Sequence, residues 1–347
     1  MMLKGSSGRA ICCATFRYFF SVRSHLFGGF HGDTITGPVE LRFHLILPTR
    51  GSSTSTGAME TETSRPRELT AAEQVESALV ERIDKGKIEL PLLPQVAGQV
   101  MALANDPSVD AARLSALIHQ DQSLAAHVLR IANSPAYMPR TPIVSLQHAV
   151  AMLGVNLLSE IALTVSLKHS ALQVSGYEAD VKQLWRHALA SGVYAKEIAR
   201  LRRFNVESAY LCGLLHAIGK PVVLKAVVAI VVEGRIPIDR DAVISFMEGY
   251  HARVGTIIAK EWSLPKQVGE AITFYTMYEQ TPTYKQEAMM TCLSDRLASY
   301  LVVPDSFDET TVREHSVFAD LNLYPNDVDS LLRIKDKVLN LVDALAI

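Results

Sequence analysis

The apolar residues after Glu68 recur every three or four positions, which is the repeat of one helix face. Representative stripes are Leu114, Leu117 and Ile118; Leu124, Val128, Ile131 and Ala132; Leu146, Ala149, Val150 and Leu153; and Val268, Ala271, Ile272 and Tyr275. No run alternates as a half-buried strand does, and the β-branched stretch 222–232 is the one ambiguous segment. The pattern therefore predicts an all-α helical bundle.

Capping and breaking residues mark where these helices begin and end. Asp121 and Ser145 stand at N-cap positions, where a side-chain oxygen accepts a hydrogen bond from a free backbone N–H. Pro135 follows a helix end, because proline disfavours helical geometry in the residue before it. Glycine tolerates the left-handed turn that closes many helices, so we predict that Gly154 and Gly219 each end one.

The last part of the chain follows a polar segment at 303–313. Its apolar residues fall on one stripe of a single predicted helix: Leu331, Ile334, Val338, Leu341, Val342 and Leu345. Packing of that stripe on its own domain is the usual arrangement, and a homodimer seam is the alternative.

Composition narrows the classes of protein that fit. The chain has 347 residues, 48% of them hydrophobic, enough for one large or two modest domains. The 34 basic residues nearly balance the 36 acidic ones, so no overall field attracts nucleic acid or an anionic membrane. The longest unbroken apolar run, 226–232, is much shorter than the about 20 residues of a membrane-spanning helix, so no span is predicted. None of the four cysteines forms a C-x-x-C pair, which fits a reducing cytoplasm.

The first 58 residues differ in character from the rest. Four basic residues precede the first acidic one, Asp33, and 51–57 has the composition of a flexible linker. A targeting peptide is one explanation, since such segments are rich in Arg and poor in acids, although Arg17 interrupts the apolar part. We favour a start of translation at Met59 and expect a chain beginning there to keep its melting temperature. A loss of several degrees would show that residues 1–58 belong to the fold.

The most informative local feature lies where an apolar helix runs through Leu214 and Leu215 into His216 and Ala217. A His-Asp pair in this place could hold a hard divalent cation between an imidazole and a carboxylate. Ala217 has no lone pair to offer. The segment therefore has the shape of a hydrolase centre that lacks its key carboxylate.

An ordered series of short motifs between Leu90 and Tyr278 resembles the HDOD domain family. In chain order the clearest are Leu90-Pro91-Leu92-Leu93-Pro94, Gln120-Asp121-Gln122-Ser123-Leu124, Ala132-Asn133-Ser134-Pro135-Ala136-Tyr137, Leu184-Trp185-Arg186-His187, Gly213-Leu214-Leu215-His216 and Glu248-x-x-His251. Each motif alone is weak, whereas their order and spacing together are specific. The resemblance implies the helical fold of the HD metal-dependent phosphohydrolases with an additional N-terminal helical half. It does not imply their chemistry, because function belongs to sites rather than folds.

The resemblance also indicates which residues occupy the metal-binding positions. In HD hydrolases a first His, a His-Asp pair and a distal Asp hold a metal that activates water on a phosphoester. The matching positions here are His187, His216, Ala217 and Asp295. Relatives that cleave cyclic dinucleotides carry further histidines where this chain has Phe-Tyr-Thr at 274–276. We therefore expect no bound metal, no cofactor and no catalytic residue.

Considered apart from the family resemblance, the three polar side chains at these positions each have an ordinary structural explanation. His187 lies on an amphipathic helix, which suits a half-buried, hydrogen-bonded histidine. His216 at a helix end can satisfy a free carbonyl, and Asp295 can pair with a nearby base. All three explanations are compatible with a site that binds nothing.

Three other polar residues form the candidate pocket for a small ligand. Glu248 and His251 share a helix face, where a local hydrogen bond is a more common outcome than ligation. Lys220, four residues beyond His216, is the third member. The sequence carries no Gly-rich phosphate loop of the Walker or dinucleotide type, and no nucleophile beside a recognisable base motif.

The resulting prediction is a non-catalytic HDOD regulatory protein of a bacterial signalling system, acting in the cytoplasm by binding protein partners on separate chains or a small ligand. Residues 59–89 are predicted to form an N-terminal helix, 90–282 the HDOD domain, and 283–347 C-terminal helices that complete or flank the bundle. One alternative is a metal-dependent phosphohydrolase that uses His187, His216 and Asp295. Another is a sensor that binds a nucleotide messenger without cleaving it. Metal content tests the first alternative, and a ligand-induced thermal shift tests the second.

Overall fold

The computed structural model describes residues 69–104, 111–137, 139–169, 173–303 and 308–346. These residues form α-helices and one 3₁₀ helix, and none of the described segments is a strand. The all-α prediction is therefore confirmed, and the ambiguous stretch 222–232 is helical. Residues 1–58, which we predicted to be an extension, lie outside the described segments.

Five helices form the first part of the described chain. Their bounds are α1 Ala71–Asp84, α2 Gln95–Ala104, α3 Ala111–His119, α4 Gln122–Ala132 and α5 Leu146–His169. Helices α2 to α5 pack on one another and are called here the N-terminal half. Helix α1 instead packs on two helices of the second half, α8 and α9, described next.

The second half is a bundle of six helices and the 3₁₀ helix. Their bounds are α6 Glu178–Arg202, α7 Val206–Leu215, α8 Gly219–Gly234, α9 Arg240–Glu261, α10 Lys266–Phe274, the 3₁₀ helix Tyr275–Gln280 and α11 Lys285–Val302. Four short helices follow: α12 Glu309–Arg313, α13 Val317–Asp320, α14 Pro325–Arg333 and α15 Lys335–Leu345. Helix α6 packs against α7 and α11, and this packing positions the candidate site.

The helix starts follow the predicted capping chemistry. The side chain of Asp121 accepts a hydrogen bond of 3.0 Å from the backbone N–H of Leu124 at the start of α4. Ser145 Oγ accepts one of 3.1 Å from the N–H of His148 at the start of α5. Helix α4 ends at Ala132, three residues before Pro135, as predicted.

Two predictions about the helices are wrong, one at Gly219 and one for the C-terminal helix. Gly219 begins α8, and a Cβ there would lie 2.0 Å from the backbone carbonyl oxygen of His251, so glycine is required by the close approach of α8 and α9. Gly154 does end a helical segment as predicted: its φ of +81° is not helical, and a second segment of α5 follows it directly and continues to His169. The single C-terminal helix is interrupted at Ile334, which caps both α14 and α15.

The described helices share one hydrophobic core. Ile131 in the N-terminal half and Leu214 in the second half are 3% and 2% exposed. All the described helices also fall within one compact unit of the chain. The domain limits proposed from the sequence stay predictions.

Two helical stretches are long and apolar enough to cross a membrane by length and composition: Leu146–Lys168 and Val206–Gly234. In the fold, 56% and 50% of the most apolar 18-residue part of each stretch are buried. The first stretch is kinked at Gly154, and the second consists of α7 and α8 with a break at 216–218. Core helices of soluble proteins meet the same criterion, so these stretches are weak evidence for a span.

Candidate functional site

The candidate site lies where α6, the end of α7 and α11 meet. His187 is on α6, His216 directly follows α7, and Asp295 is on α11. Helices α6 and α7 approach closely because Gly213 has no side chain; a Cβ there would lie 2.6 Å from the backbone oxygen of Ser191. This packing brings one ligand atom from each of the three site residues to within 4.8 Å of the other two.

The carboxylate of Asp295 is the centre of this cluster. Its Oδ1 lies 3.0 Å from Nε2 of His216 and 3.5 Å from Nε2 of His187. Nε2 of His187 is also 3.2 Å from the backbone oxygen of Asp295 and 3.1 Å from the hydroxyl of Ser299. His216 is fully buried, whereas the side chains of His187 and Asp295 are 13% and 24% exposed. The cluster is therefore closed on one side and partly open on the other.

The contacts of His216 define where a positive charge is needed. Its Nδ1 lies 2.7 Å from the backbone oxygen of Gly213, and a carbonyl oxygen can only accept a hydrogen bond, so Nδ1 carries a hydrogen. Nε2 then faces the carboxylate of Asp295 at 3.0 Å. Two lone pairs at this distance repel, so a proton or another cation must lie between Nε2 and Oδ1.

The surrounding charges keep Asp295 ionised. Burial raises the pKa of the carboxyl, but the hydrogen bond from His216 and the charges of His216, of Lys220 and, in acid, of protonated His187 outweigh burial and hold the pKa well below its usual range. For His187, burial is the main effect and lowers the pKa to about 4, although Asp295 opposes the shift. At neutral pH the cluster therefore contains a carboxylate beside a neutral His187.

The position predicted to lack a carboxylate lies beside this cluster. Ala217 is 7% exposed and offers only a methyl group. On the next turn, Lys220 donates to Glu248 over 2.8 Å, and its ammonium also lowers the pKa of Asp295. The donor set for a metal is therefore two imidazoles and one carboxylate, with the ammonium of Lys220 nearby.

The three residues of the candidate ligand pocket bond to one another and to Tyr275. Nδ1 of His251 lies 2.8 Å from the backbone oxygen of Glu248, and the phenol of Tyr275 donates to Nε2 of His251 over 3.0 Å. The rings of Tyr275 and His216 form a T-shaped pair, with ring centroids 4.9 Å apart and planes at 81°. Lys220 completes the group through its ion pair with Glu248. The pocket residues are thus linked to the His-Asp cluster.

Sequence reasoning missed the role of Tyr275. The sequence places it only in an apolar stripe with Val268, Ala271 and Ile272, and it is indeed buried, but its hydroxyl bonds to His251 and its ring packs against His216. The signal was present in the comparison with related hydrolases, because 274–276 is where some of them carry histidines.

A cavity of about 460 Å³ lies away from the candidate site and is lined by Ala78, Glu81, Arg82 and Lys87.

His251 gives the fold a predicted pH dependence. Burial, aided by the charge of Lys220, lowers the pKa of His251 to about 4, with Glu248 opposing the shift. An unfolded histidine binds a proton below about pH 6.5, so the folded state loses stability as the pH falls from there towards 4. We expect this residue to contribute a loss of about 2 kcal/mol in the free energy of unfolding between pH 7 and 5.

Urea unfolding of the wild type and of His251→Gln at both pH values measures this contribution. The variant is expected to lose less stability than the wild type on acidification, whatever its absolute stability. An unchanged difference between pH 7 and 5 would mean that His251 is not buried in its neutral form.

The chain is similar to a known domain family and to individual proteins. Residues 90–278 match the profile of the HDOD domain. An uncharacterised protein of Treponema pallidum (strain Nichols) is 26% identical over 223 residues, which are 61% of this chain and 42% of the relative. The chain therefore spans less than half the length of this curated relative.

Solved structures share the fold. An HDOD domain protein of unknown function from Geobacter sulfurreducens is 26% identical, with a TM-score of 0.60 over 78% of this chain and 98% of that one. A protein from Shewanella amazonensis SB2B, provisionally named a metal-dependent phosphohydrolase, is 18% identical, with a TM-score of 0.62 over 79% and 99%. A protein from Marinobacter aquaeolei VT8, provisionally named a signal transduction protein, is 23% identical, with a TM-score of 0.60 over 80% and 66%. Together they support a helical bundle of the HD type with an additional N-terminal half.

Proposed function

Because this chain belongs to the HDOD domain family, we propose that it is a non-catalytic signal-transduction protein that acts by binding protein partners. The observation that carries this proposal is Ala217, a buried methyl group at the position where HD hydrolases bind metal through a carboxylate. The name of the Marinobacter relative agrees with a signalling role. The name of the Shewanella relative agrees instead with the rival function, hydrolysis of a phosphoester.

The remaining donors are a poor fit for a hard divalent cation. Such a cation prefers several oxygen ligands, and Asp295 supplies the one carboxylate of the cluster. The ammonium of Lys220 repels a second cation, since it is close enough to shift the pKa of both Asp295 and His187. In HD hydrolases the bound metal activates water. In this chain His187, His216 and Asp295 contact one another instead. We therefore assign no reaction step to the cluster.

The hydrogen bonds of the cluster are also completed within the protein. Both ring nitrogens of His216 have partners in Gly213 and Asp295, and both of His251 have partners in Glu248 and Tyr275. Buried polar groups with such partners stabilise a fold without any ligand. This supports a structural role for the cluster and is consistent with a function that the surfaces of the protein perform.

The phosphohydrolase alternative rests on a specific observation, the convergence of His187, His216 and Asp295. In that alternative these three residues would hold a divalent cation, which would activate water for attack on the phosphoester. Assays of phosphodiester and phosphomonoester substrates with manganese, nickel or iron test it, and we expect no turnover. A thermal shift with cyclic or linear nucleotides tests the sensor alternative, for which we expect no stabilisation.

Ala217→Asp is expected to restore affinity for a divalent cation. The new carboxylate would add an anionic oxygen ligand beside His216, so we expect at least about a 10-fold gain in affinity for manganese. Isothermal titration of the variant, the wild type and Ala217→Asn measures the gain. The asparagine variant is the matched control, since it has nearly the same size without the charge. Equal affinity of all three proteins would show that the other ligands are no longer aligned for a metal.

A further inference from the structure

Four polar residues of α5 lie at four-residue spacing and join the N-terminal half to later helices. They are Asn156, Glu160, Thr164 and Lys168, called here the α5 seam. Their contacts are Asn156 Nδ2 to Glu207 Oε1 at 2.6 Å, Glu160 to the ammonium of Lys196, Thr164 Oγ1 to the Tyr210 hydroxyl at 2.6 Å, and Lys168 Nζ to the backbone oxygen of Ala346 at 2.7 Å. Residues four apart share one side of a helix, so the seam is a continuous polar line.

The seam differs from the way α5 contacts its own half. Helix α5 packs closely on α2, α3 and α4, whereas its backbone approaches α6 and α7 at few points. The gap is crossed by the long side chains of Lys196 on α6 and Tyr210 on α7. Apolar residues of α5 such as Ile161 also belong to the shared core, but along the seam itself hydrogen bonds and ion pairs can be exchanged for contacts with water when the surface opens.

The centre of the seam is a largely buried ion pair. The side chains of Glu160 and Lys196 are each 12% exposed, and the ammonium of Lys196 lies 5.4 Å from the centre of the Tyr210 ring. Burial raises the pKa of Glu160, although Lys196 opposes the shift. A buried ion pair adds little net stability because both ions lose their hydration, and its best-attested roles are in register and switching.

We propose that the α5 seam is a joint at which the N-terminal half opens from the second half, and that the Glu160–Lys196 pair latches it closed. This goes beyond the proposed function, because it identifies two states between which a signalling protein can switch. A partner that binds one state more tightly shifts the population towards that state. The buried side of the joint contains Thr164, which is fully buried when the seam is closed.

The accessibility of a thiol placed in the seam tests the joint directly. In the full chain, Thr164→Cys introduces a small thiol that reacts with a water-soluble reagent only when the seam opens. Cys212 and Cys292 are 1% and 6% exposed in the second half, so they report opening of that half or of the whole protein. Mass spectrometry of labelled peptides follows each thiol separately.

Removing the cation should open the joint selectively. In a Thr164→Cys background, Lys196→Met leaves Glu160 buried without its partner, so we expect labelling at position 164 to become faster on the order of 100-fold. Labelling of Cys212 and Cys292 should keep its rate. Adding Glu160→Leu to Lys196→Met removes the unpaired charge and should return the rate at 164 towards that of the background. The matched control is Glu81→Gln, which breaks an exposed ion pair with Lys85 and should change nothing.

Three results would overturn the joint. A parallel rise at position 164, Cys212 and Cys292 would mean that the ion pair stabilises the protein as a whole. An unchanged rate at 164 would mean that the pair latches nothing. A double variant as open as Lys196→Met would mean that the effect does not come from the pairing. If Lys196→Met does not fold, Glu160→Gln replaces it in the Thr164→Cys background. Glu160→Gln keeps a hydrogen-bond acceptor, and the labelling rates of the same three thiols are compared.

Discussion

Leu214→Ala is expected to lower the free energy of unfolding by about 2–5 kcal/mol, and Ile131→Ala by a similar amount. Both side chains are almost completely buried, so their truncation removes apolar contacts and leaves a cavity that the packed helices fill only in part. The two residues lie in different halves of the protein but in one shared core. Both variants should therefore shift a single unfolding transition.

Urea unfolding followed by far-UV circular dichroism and by tryptophan fluorescence measures this prediction. The matched control is Leu92→Ala, because the side chain of Leu92 is 87% exposed and its truncation should change stability by less than about 0.5 kcal/mol. Two separable transitions, each responding to one of the core substitutions, would mean that the halves are independent domains.

Asp295→Ala is expected to cost about 3–5 kcal/mol of stability. It removes the partner of the fully buried His216 and leaves Nε2 of that ring without the carboxylate. The control is Asp343→Ala, which breaks an ion pair with Arg186 in which the aspartate is 61% exposed, and which should cost less than about 1 kcal/mol. Similar losses in the two variants would show that the His216–Asp295 contact is not a buried pair.

The pH dependence of Asp295 gives a second readout. A carboxyl whose pKa is lowered by folding contributes stability above its unfolded pKa of about 4, and this contribution is lost as the pH falls through the folded pKa. The wild type should therefore lose stability below about pH 4 more steeply than Asp295→Asn. Equal slopes in acid would mean that Asp295 keeps an ordinary pKa in the fold.

Local features of the fold were predictable from the sequence because they depend on neighbouring residues. The repeat of apolar residues determined the helices, and the N-caps Asp121 and Ser145 bond to N–H groups three residues away. The break before Pro135 has an equally local cause. These predictions needed no knowledge of how the helices pack.

Features that depend on packing were missed or misassigned. Gly219 was predicted to end a helix, whereas its lack of a side chain accommodates a carbonyl of α9 far along the chain. The α5 seam was also missed, since Glu160 and Lys196 are 36 residues apart and nothing in the periodicity links them. The same holds for Tyr275, whose partners His216 and His251 lie on other elements.

The candidate site was located through resemblance rather than through pattern. His187 and His216 are 108 and 79 residues from Asp295, so neither spacing nor helical periodicity could have brought them together. The ordered motifs of the family identified all three positions and the missing carboxylate at Ala217. The family resemblance does not predict the ionic state of the cluster. That state depends on contacts seen in the fold, such as the hydrogen bond of His216 to the backbone oxygen of Gly213.

We propose that this HDOD protein signals without catalysis because Ala217 stands where HD hydrolases have a metal-binding carboxylate. Elemental analysis of the wild-type protein, purified without chelators and assayed in parallel for phosphoester hydrolysis, tests it most directly. We predict well below one metal ion per chain and no turnover with manganese, nickel or iron. About one tightly held metal per chain, together with hydrolysis of any phosphoester, would contradict the claim.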